Sequence, residues 1–300
     1  MALYKIEKHQ LKQIKSKPFN LEKDLQKLIE ANLSLIMGLE FVETEVSIKN
    51  KRIDTLAFDK ETKSFVIVEY KRDKNSSVID QGFTYLSLLL ENKEAFIYVY
   101  YESKKQHLNK SDIDWSQTRM IFIAPSFTDY QKQAINFQDL PIELWEAQKY
   151  DDILSILPIR KNDSAASIKP MIEDKYKEIS KEIVTYTQEQ HLSNIPDGTK
   201  ELYEKFKNAI LNLDDNIRVE STKLYIVFKK ENINLCSIVI HKNDIKLFIN
   251  LEKGVLDDSK KLTRDVSKIG HWAVGDYELS IESDKNLEYI MSLVKQTLVN

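Results

Sequence analysis

The hydrophobic pattern of the first half changes between the helical period and the strand period. Leu and Ile recur at helical spacing from Leu21 to Ile36, and Asn20 can serve as the N-cap, so an amphipathic helix is predicted. Three segments rich in apolar and β-branched residues are predicted to be strands, and short polar turns such as 60–63 join them. Their predicted bounds are 41–48, 52–59 and 64–72. Consecutive strands with short turns indicate a meander.

Helical spacing returns over 77–91 and is followed by a continuous apolar and aromatic run at 95–101. We predict this run to be a strand, because a crossover helix before it favours parallel pairing. The pattern then predicts strands over 118–124 and 142–146, with a helix over 129–137 between them. The first half is therefore predicted to be a mixed α/β domain with the order α-β-β-β-α-β.

A change of composition divides the chain. With 300 residues, two domains are expected. Small and polar residues between two prolines interrupt the hydrophobic pattern near 157–170. We place the domains at 1–157 and 171–300, with a linker over 158–170. The second half predicts an α+β domain with helices at 172–190, 199–213 and 285–298 and strands at 224–229, 233–241, 246–250 and 276–281.

Composition excludes several classes of protein. Hydrophobic residues make up 42% and charged residues 30%, as in ordinary globular proteins. The single cysteine, Cys236, excludes an internal disulfide framework and a Cys-based zinc site. Neither a signal peptide nor a membrane-spanning stretch is visible, so a cytoplasmic protein without membrane partners is expected.

The charge balance limits where a nucleic acid could bind. The formal net charge is -3, and basic and acidic residues nearly balance in each half of the chain, so neither half is a basic module. Basic residues are instead grouped locally. One group is Lys5, Lys8, Lys12, Lys15 and Lys17, for which solvated surface lysines are the simpler interpretation. A second group contains the candidate nucleic-acid contacts Lys51, Arg52, Arg72 and Lys74.

Two acidic residues and a lysine stand out within the predicted strands. Side chains alternate along a strand, so Glu69 and Lys71 share a face with Phe65 and Ile67. Asp54 lies on the preceding strand, and pairing through the short turn would bring Asp54 and Glu69 to the same end of the sheet. Buried charge is costly unless it is paired or compensated by a metal ion.

Two adjacent carboxylates suit Mg²⁺, which takes one or two protein carboxylates, several waters and a phosphate oxygen. Lys71 could then orient or deprotonate the attacking water and stabilise a pentavalent phosphate. The chemistry indicated is phosphodiester hydrolysis. The alternative is that Asp54 is an ordinary strand residue and that Glu69 and Lys71 form an exposed ion pair. Their position within hydrophobic strands favours the site.

These residues resemble the PD-(D/E)xK nuclease superfamily, in which an Asp on one strand precedes E-x-K on the next within an αβββαβ core. Asp54 and Glu69-Tyr70-Lys71 match that pattern, with Ile53 in place of the frequent proline. The chain is more similar to the RecB-like branch that includes the NucS/EndoMS catalytic domains, whose Asp strand reads much like 52–57. The resemblance covers roughly 18–125 and implies a restriction-endonuclease-like fold.

The resemblance also implies further site residues. Gln81 and Tyr85 match a Q-x-x-x-Y pair, and their spacing places both on one helix face. Glu22, or Glu30 in its place, matches a carboxylate on the first helix, although the helix dipole alone could explain an acid there. The metal ligands implied are Asp54, Glu69, the backbone carbonyl of Tyr70 and Glu22.

The second half resembles an uncharacterised C-terminal domain found beside such nucleases and sometimes labelled a predicted transport protein. The matching segments are 224–229, 247–251, 257–258, 264–267 and 269–273. His271 and Trp272 could stack on a base, or could belong to the core. Cys236 is expected to be buried and inert.

The sequence therefore predicts a Mg²⁺- or Mn²⁺-dependent DNA endonuclease that acts in repair, restriction or phage defence. RNA remains open as a substrate. A homodimer would supply the two sites needed to cut both strands. The alternative is a non-catalytic module that uses the same fold to bind nucleic acid or protein.

Overall fold

The chain folds into two compact units, residues 1–185 and 186–300, in a computed structural model. The residues described are 3–19, 21–71, 77–137, 139–162, 165–168, 177–231, 233–269 and 273–299, without the side chains of 178 and 180. The linker predicted over 158–170 belongs to the first unit, so the division lies C-terminal to it.

The first unit contains eight strands and six α-helices among its described residues. The strands are β1 (Leu3–Glu7), β2 (Gln10–Ile14), β3 (Glu40–Ile48), β4 (Lys51–Asp59), β5 (Ser64–Tyr70), β6 (Arg119–Ala124), β7 (Ile142–Tyr150) and β8 (Ile153–Pro158). The helices are α1 (Glu22–Glu30), α2 (Leu33–Met37), α3 (Val78–Glu91), α4 (Lys93–Lys104), α5 (Asp129–Ala134) and α6 (Lys177–Glu182).

A six-stranded mixed sheet with the order β3-β4-β5-β6-β7-β8 forms the centre of this unit. The first three strands are antiparallel neighbours, β5, β6 and β7 run parallel, and β8 returns antiparallel. The predicted fold class is confirmed: an αβββαβ core with a mixed sheet is followed by an α+β unit.

The strand predicted over 95–101 is wrong, because this segment lies within the helix α4. Phe96 and Tyr100, one turn apart, are buried, whereas Tyr98 between them is 63% exposed. The rings of Phe65 and Phe58 pack against Phe96 and Tyr100, respectively. The parallel neighbour of β5 is therefore β6, which the pattern had placed further along the sheet.

The β4–β5 turn fixes the register on which the candidate site depends. The Asp59 carboxylate accepts hydrogen bonds from the backbone N–H groups of Glu61 and Thr62, an arrangement that favours a tight turn. Thr55 consequently pairs with Val68. This register brings Asp54 beside the end of β5.

The sheet is covered on both faces. Leu25 and Ile29 of α1 belong to a core cluster with Val66, Val68 and Tyr70 on one face. Helices α3 and α4 contribute to the core on the other face, where Phe65 and Ile67 lie. Gly82 of α3 approaches the sheet closely, since a Cβ there would lie 2.5 Å from Ile142 Cδ1.

The second unit is an antiparallel sheet with helices. Its strands are β9 (Ile217–Ser221), β10 (Ile226–Lys230), β11 (Ile233–Ile240), β12 (Ile245–Ile249), β13 (Arg264–Asp265) and β14 (Tyr277–Ile281), in the order β13-β14-β12-β11-β10-β9. Its helices are α7 (Gln188–Leu192), α8 (Asp197–Leu211) and α9 (Leu287–Lys295). No helix among the described residues is long and apolar enough to cross a membrane.

Two further sequence predictions need correction here. The continuous helix over 172–190 is wrong in its described part, because α6 ends at Glu182 and α7 begins at Gln188 after the cap residue Thr187. Strand β9 was not predicted. His271 and Trp272 lie outside the described residues, whereas Cys236 is buried as expected.

Candidate active site

Two carboxylates from neighbouring strands meet at the carboxyl end of β5. The backbone N–H of Asp54 donates to Glu69 Oε1 at 3.1 Å, and the backbone N–H of Tyr70 donates to Asp54 Oδ2 at 3.1 Å. Each carboxylate thus accepts a hydrogen bond from a backbone N–H group of the strand that carries the other acid. The β4–β5 register and the alternation of side chains produce this pairing.

The pair is poorly solvated. Glu69 is only 3% exposed, and Asp54 is half-buried. Burial, reinforced by the negative charge of Asp54, raises the pKa of Glu69 to about 7. Burial also raises the pKa of Asp54, against the opposing effects of the Tyr70 hydrogen bond and the Lys71 charge. Removing two acids from water without full charge compensation disfavours their ionised forms.

Lys71 and Gln81 both contact the second oxygen of Glu69. Lys71 Nζ lies 3.4 Å from Glu69 Oε2, and Gln81 Nε2 donates to the same oxygen at 3.3 Å. The Lys71 ammonium also lies 5.9 Å from the centroid of the Phe122 ring. Glu69 and Lys71 therefore lie on the same face, as predicted, and the ammonium lies beside the carboxylate.

Helix α3 supplies Gln81 and Tyr85 from one face. The helix begins after Ser77, whose hydroxyl accepts a hydrogen bond from the Asp80 backbone N–H. Tyr85, one turn beyond Gln81, donates its hydroxyl to the carbonyl oxygen of Arg52 at 2.8 Å. Burial, followed by the charge of Glu69, raises the pKa of Tyr85. Tyr85 therefore ties α3 to the start of the Asp54 strand.

The carboxylates of the first helix occupy different surroundings. Glu22 is exposed at the first turn of α1. Glu30 accepts a hydrogen bond from Thr55 Oγ1 at 2.6 Å, on the face of β4 opposite to Asp54. Thr55 Oγ1 also contacts the hydroxyl of Tyr70, and the side chain of Tyr70 lies on the face of β5 opposite to Glu69. The structure thus places Glu30 behind the strands that carry the acid pair.

Sequence reasoning missed Gln26, which is 7% exposed. Its Nε2 atom donates to the carbonyl of Asp54 at 2.9 Å and also contacts Thr44 Oγ1 and Glu30 Oε1. The sequence feature that could have indicated Gln26 is its position as a polar residue next to Leu25, within the apolar stripe of α1. Such a residue needs a buried hydrogen-bond partner.

The structure describes two of the four basic residues predicted to contact nucleic acid. Lys51 and Arg52 are exposed at the start of β4, and the charge of Arg52 acts on Asp54. Arg72 and Lys74 lie outside the described residues. The peptide carbonyl of Tyr70 stands at the end of β5, directly before Lys71.

Among the described residues, the acid pair has no third partner of the same chemistry. Within the described ranges, no group of three or more His, Cys, Asp or Glu side chains is arranged to hold a metal ion. Two adjacent carboxylates and nearby backbone oxygens form a donor set for a hard cation that keeps most of its waters. The arrangement can hold such a cation, or share a proton.

Comparison with known proteins finds a relative that matches nearly the whole chain. It is 52% identical over 301 residues to an uncharacterized protein of Haemophilus influenzae, covering 99% of each sequence. The chain belongs to the family of that protein. Residues 188–297 also match a family described as a domain of unknown function, DUF5655.

Two solved structures are similar to part of the chain. One is a repair endonuclease from Pyrococcus abyssi, with 21% identity over 43% of this chain and 49% of that one, at a TM-score of 0.25. The other is an EndoMS–dsDNA complex, with 19% identity over 43% and 47%, also at 0.25. The chain spans about half the length of each, and scores this low carry no argument about activity.

Proposed function

We propose that the protein is a metal-dependent deoxyribonuclease whose active site is the Asp54–Glu69 pair. The observation that carries this proposal is the buried acid pair at the end of the sheet, with Lys71 Nζ 3.4 Å from Glu69 Oε2. A purely structural ion pair would gain little by retaining a second, half-buried acid beside it. A second acid beside it suits a divalent-cation site, which takes one or two protein carboxylates.

The donor set fits Mg²⁺ or Mn²⁺. Asp54 and Glu69, together with the carbonyl oxygen of Tyr70, would hold the cation. Ionisation of both carboxylates in this dry site is unfavourable without a compensating cation, as their raised pKa values indicate. A bound cation would neutralise the pair, polarise the scissile phosphate and lower the pKa of a water molecule.

Lys71 is positioned to act on the water and the phosphate. Its ammonium can donate a hydrogen bond to the attacking oxygen and can stabilise the additional negative charge of a pentavalent phosphate. In the reaction, a bond forms between the water oxygen and phosphorus, and the bond to the leaving oxygen breaks. The attacking water loses one proton, and the leaving oxygen gains one.

The surrounding residues would orient the substrate and the acids. Gln81 holds one oxygen of Glu69, and Tyr85 fixes the Asp54 strand through the Arg52 carbonyl. Lys51, Arg52, Arg72 and Lys74 would contact backbone phosphates, and Glu22 would bind a water molecule of the bound substrate. Phosphate contacts position a duplex without specifying its sequence.

The test is cleavage of labelled plasmid, linear, single-stranded and branched DNA, and of RNA, with Mg²⁺, Mn²⁺ or EDTA. We expect metal-dependent cutting by the wild type and a loss of at least 100-fold in Glu69→Gln and in Lys71→Ala. Glu102→Gln is a matched control, because Glu102 is an exposed acid paired with a lysine at 3.2 Å.

Calorimetry with Mn²⁺ separates the outcomes. Binding by the wild type and its loss in Glu69→Gln would support the metal site independently of cleavage. Equal cutting by wild type and both site variants would indicate a contaminating nuclease and would contradict the proposal. A folded wild type that neither cuts nor binds Mn²⁺ would point to the non-catalytic binding module.

A further inference from the structure

The N-terminal hairpin formed by β1 and β2 is exposed except at Leu3 and Ile14, where the two strands end. The side chains of residues 4–13 are all exposed, including the large apolar side chains of Tyr4, Ile6 and Leu11. An isolated two-stranded ribbon is marginally stable in water. An apolar, exposed ribbon of this kind gains stability from a binding partner.

The hairpin is anchored at the same end of the central sheet as the acid pair. The backbone N–H of Lys17, just after β2, donates to the carbonyl of Lys149 at 2.8 Å. Lys149 is near the carboxyl end of β7, which runs parallel to β6 and β5. Because parallel strands share their carboxyl ends, the hairpin and Glu69 lie at one end of the sheet.

Charge complementarity favours an anionic partner. Residues 3–17 contain five lysines and a single acid, Glu7, and Lys149 is exposed beside them. Lys5 pairs with Glu7 at 2.9 Å, and Lys17 pairs with Asp151 at 2.6 Å. Asp152 also lies close enough to act on Lys5. Six lysines therefore face three carboxylates.

The two faces of the ribbon differ. Lys5 pairs directly with Lys12 across the strands, and Ile6 pairs with Leu11. Paired residues share a face, so the lysine pair lies on one face and the apolar pair on the other. Two like charges directly opposite each other are unfavourable in the free protein, and a phosphate between them would remove that repulsion.

The tip also presents basic side chains. Lys8 and His9 form the two-residue turn, and their φ angles are 45° and 68°. Gly or Asn would adopt these angles at lower cost, so the sequence retains Lys8 and His9 in a strained turn. Strain of this kind is typical of residues kept for a contact.

We propose that this hairpin is a DNA arm, which grips the phosphates of a duplex beside the cleavage site. The inference rests on the proposed nuclease function for its substrate. The face of the ribbon that carries Lys5 and Lys12 lies against the duplex backbone and contacts its phosphates. Lys8 at the tip and Lys15 after β2 extend this contact.

The test is binding of a fluorescent 20-base-pair duplex to the full chain in EDTA, measured by anisotropy between 50 and 300 mM salt. We expect Lys12→Ala/Lys15→Ala to bind about 10-fold more weakly and to lose about 2 from the slope of log K against log salt. Lys60→Ala/Lys63→Ala is the matched control, because both lysines are exposed at the β4–β5 turn, at the opposite end of the sheet. The control should bind like the wild type.

Each outcome separates the arm from the active site. Weaker binding by the hairpin variant, in a protein that never cuts DNA, would support the arm and contradict the nuclease. Unchanged affinity and slope in the hairpin variant would overturn the arm even if the wild type cuts. A second copy as the partner would appear as a dimer by sedimentation that Ile6→Ser/Leu11→Ser dissociates without weakening DNA binding, and that result would also overturn it.

Discussion

At the scale of single residues, the candidate site depends on the environment of Glu69. Its carboxylate is nearly inaccessible, faces Asp54 and contacts Lys71 and Gln81 through Oε2. Both acids have raised pKa values, chiefly because burial disfavours the ionised forms. The metal-free site is therefore more stable when it carries a proton.

This environment predicts how stability depends on pH. Because the folded pKa of Glu69 is raised above its unfolded value of about 4.3, its contribution is fully present below that value and is lost as pH rises through about 7. In EDTA, Glu69→Gln should therefore be more stable than the wild type at pH 8, by on the order of 1–3 kcal/mol. The difference should disappear near pH 4.

Thermal denaturation at pH 4, 6 and 8 measures this effect. Glu102→Gln should follow the wild type at each pH, since Glu102 is an exposed acid. If Glu69→Gln melted below the wild type at pH 8 without metal, the burial argument for the acid pair would be wrong.

At the scale of elements, the site depends on how α1 is joined to β4. Gln26 reaches from the helix to the Asp54 carbonyl, while Leu25 and Ile29 pack in the core of the same face. The same side-chain amide also donates hydrogen bonds to Thr44 Oγ1 and Glu30 Oε1. Gln26, together with the Glu30–Thr55 hydrogen bond, therefore sets the helix against the strand carrying Asp54.

Replacing Gln26 by Leu should destabilise the protein by about 1–3 kcal/mol, because buried polar partners would lose their donor. Cleavage should also fall, because Asp54 would lose a contact that positions its backbone. Lys27→Leu is the control on the exposed side of the same helix. Urea denaturation measures the free energy of unfolding, and equal values for the two variants would contradict the role of Gln26.

At the scale of the whole molecule, the two units have separate cores. The clusters that include Phe65 and Val68 consist of first-unit residues, and the cluster that includes Phe206 and Leu247 consists of second-unit residues. A unit with its own core can fold alone. The match of 188–297 to a domain family agrees with this division.

We therefore expect a fragment of residues 186–300 to fold without the first unit. It should give one cooperative thermal transition, a near-ultraviolet dichroism spectrum from packed aromatic residues, and no Mn²⁺ binding. A fragment of residues 1–185 should retain the Mn²⁺ site. An unfolded 186–300 fragment would show that its core needs the rest of the chain.

Local patterns predicted much of the fold. They failed where a nearly continuous apolar run did not show whether its spacing was that of a helix or of a strand. Alternation over 64–70 correctly indicated that β5 carries Glu69 on the side of Phe65 and Ile67. The run 95–101 failed because aromatic and β-branched residues favour strands locally, although packing against Phe58 and Phe65 makes the segment a helix. The exposed hairpin β1–β2 was missed because its lysines obscured the alternation.

The sequence by itself determined which residues could form a site, because strand alternation and helix spacing are local properties of Glu69, Lys71, Gln81 and Tyr85. Only the tertiary structure decided that the Glu69 carboxylate accepts from the Asp54 backbone N–H, and that the Asp54 carboxylate accepts from the Tyr70 backbone N–H. It also decided that Gln26 donates to the Asp54 carbonyl from the other face of the strand. The physical reason is that register, burial and pKa depend on contacts between segments distant in sequence. Those contacts form only when the sheet and its helices pack together.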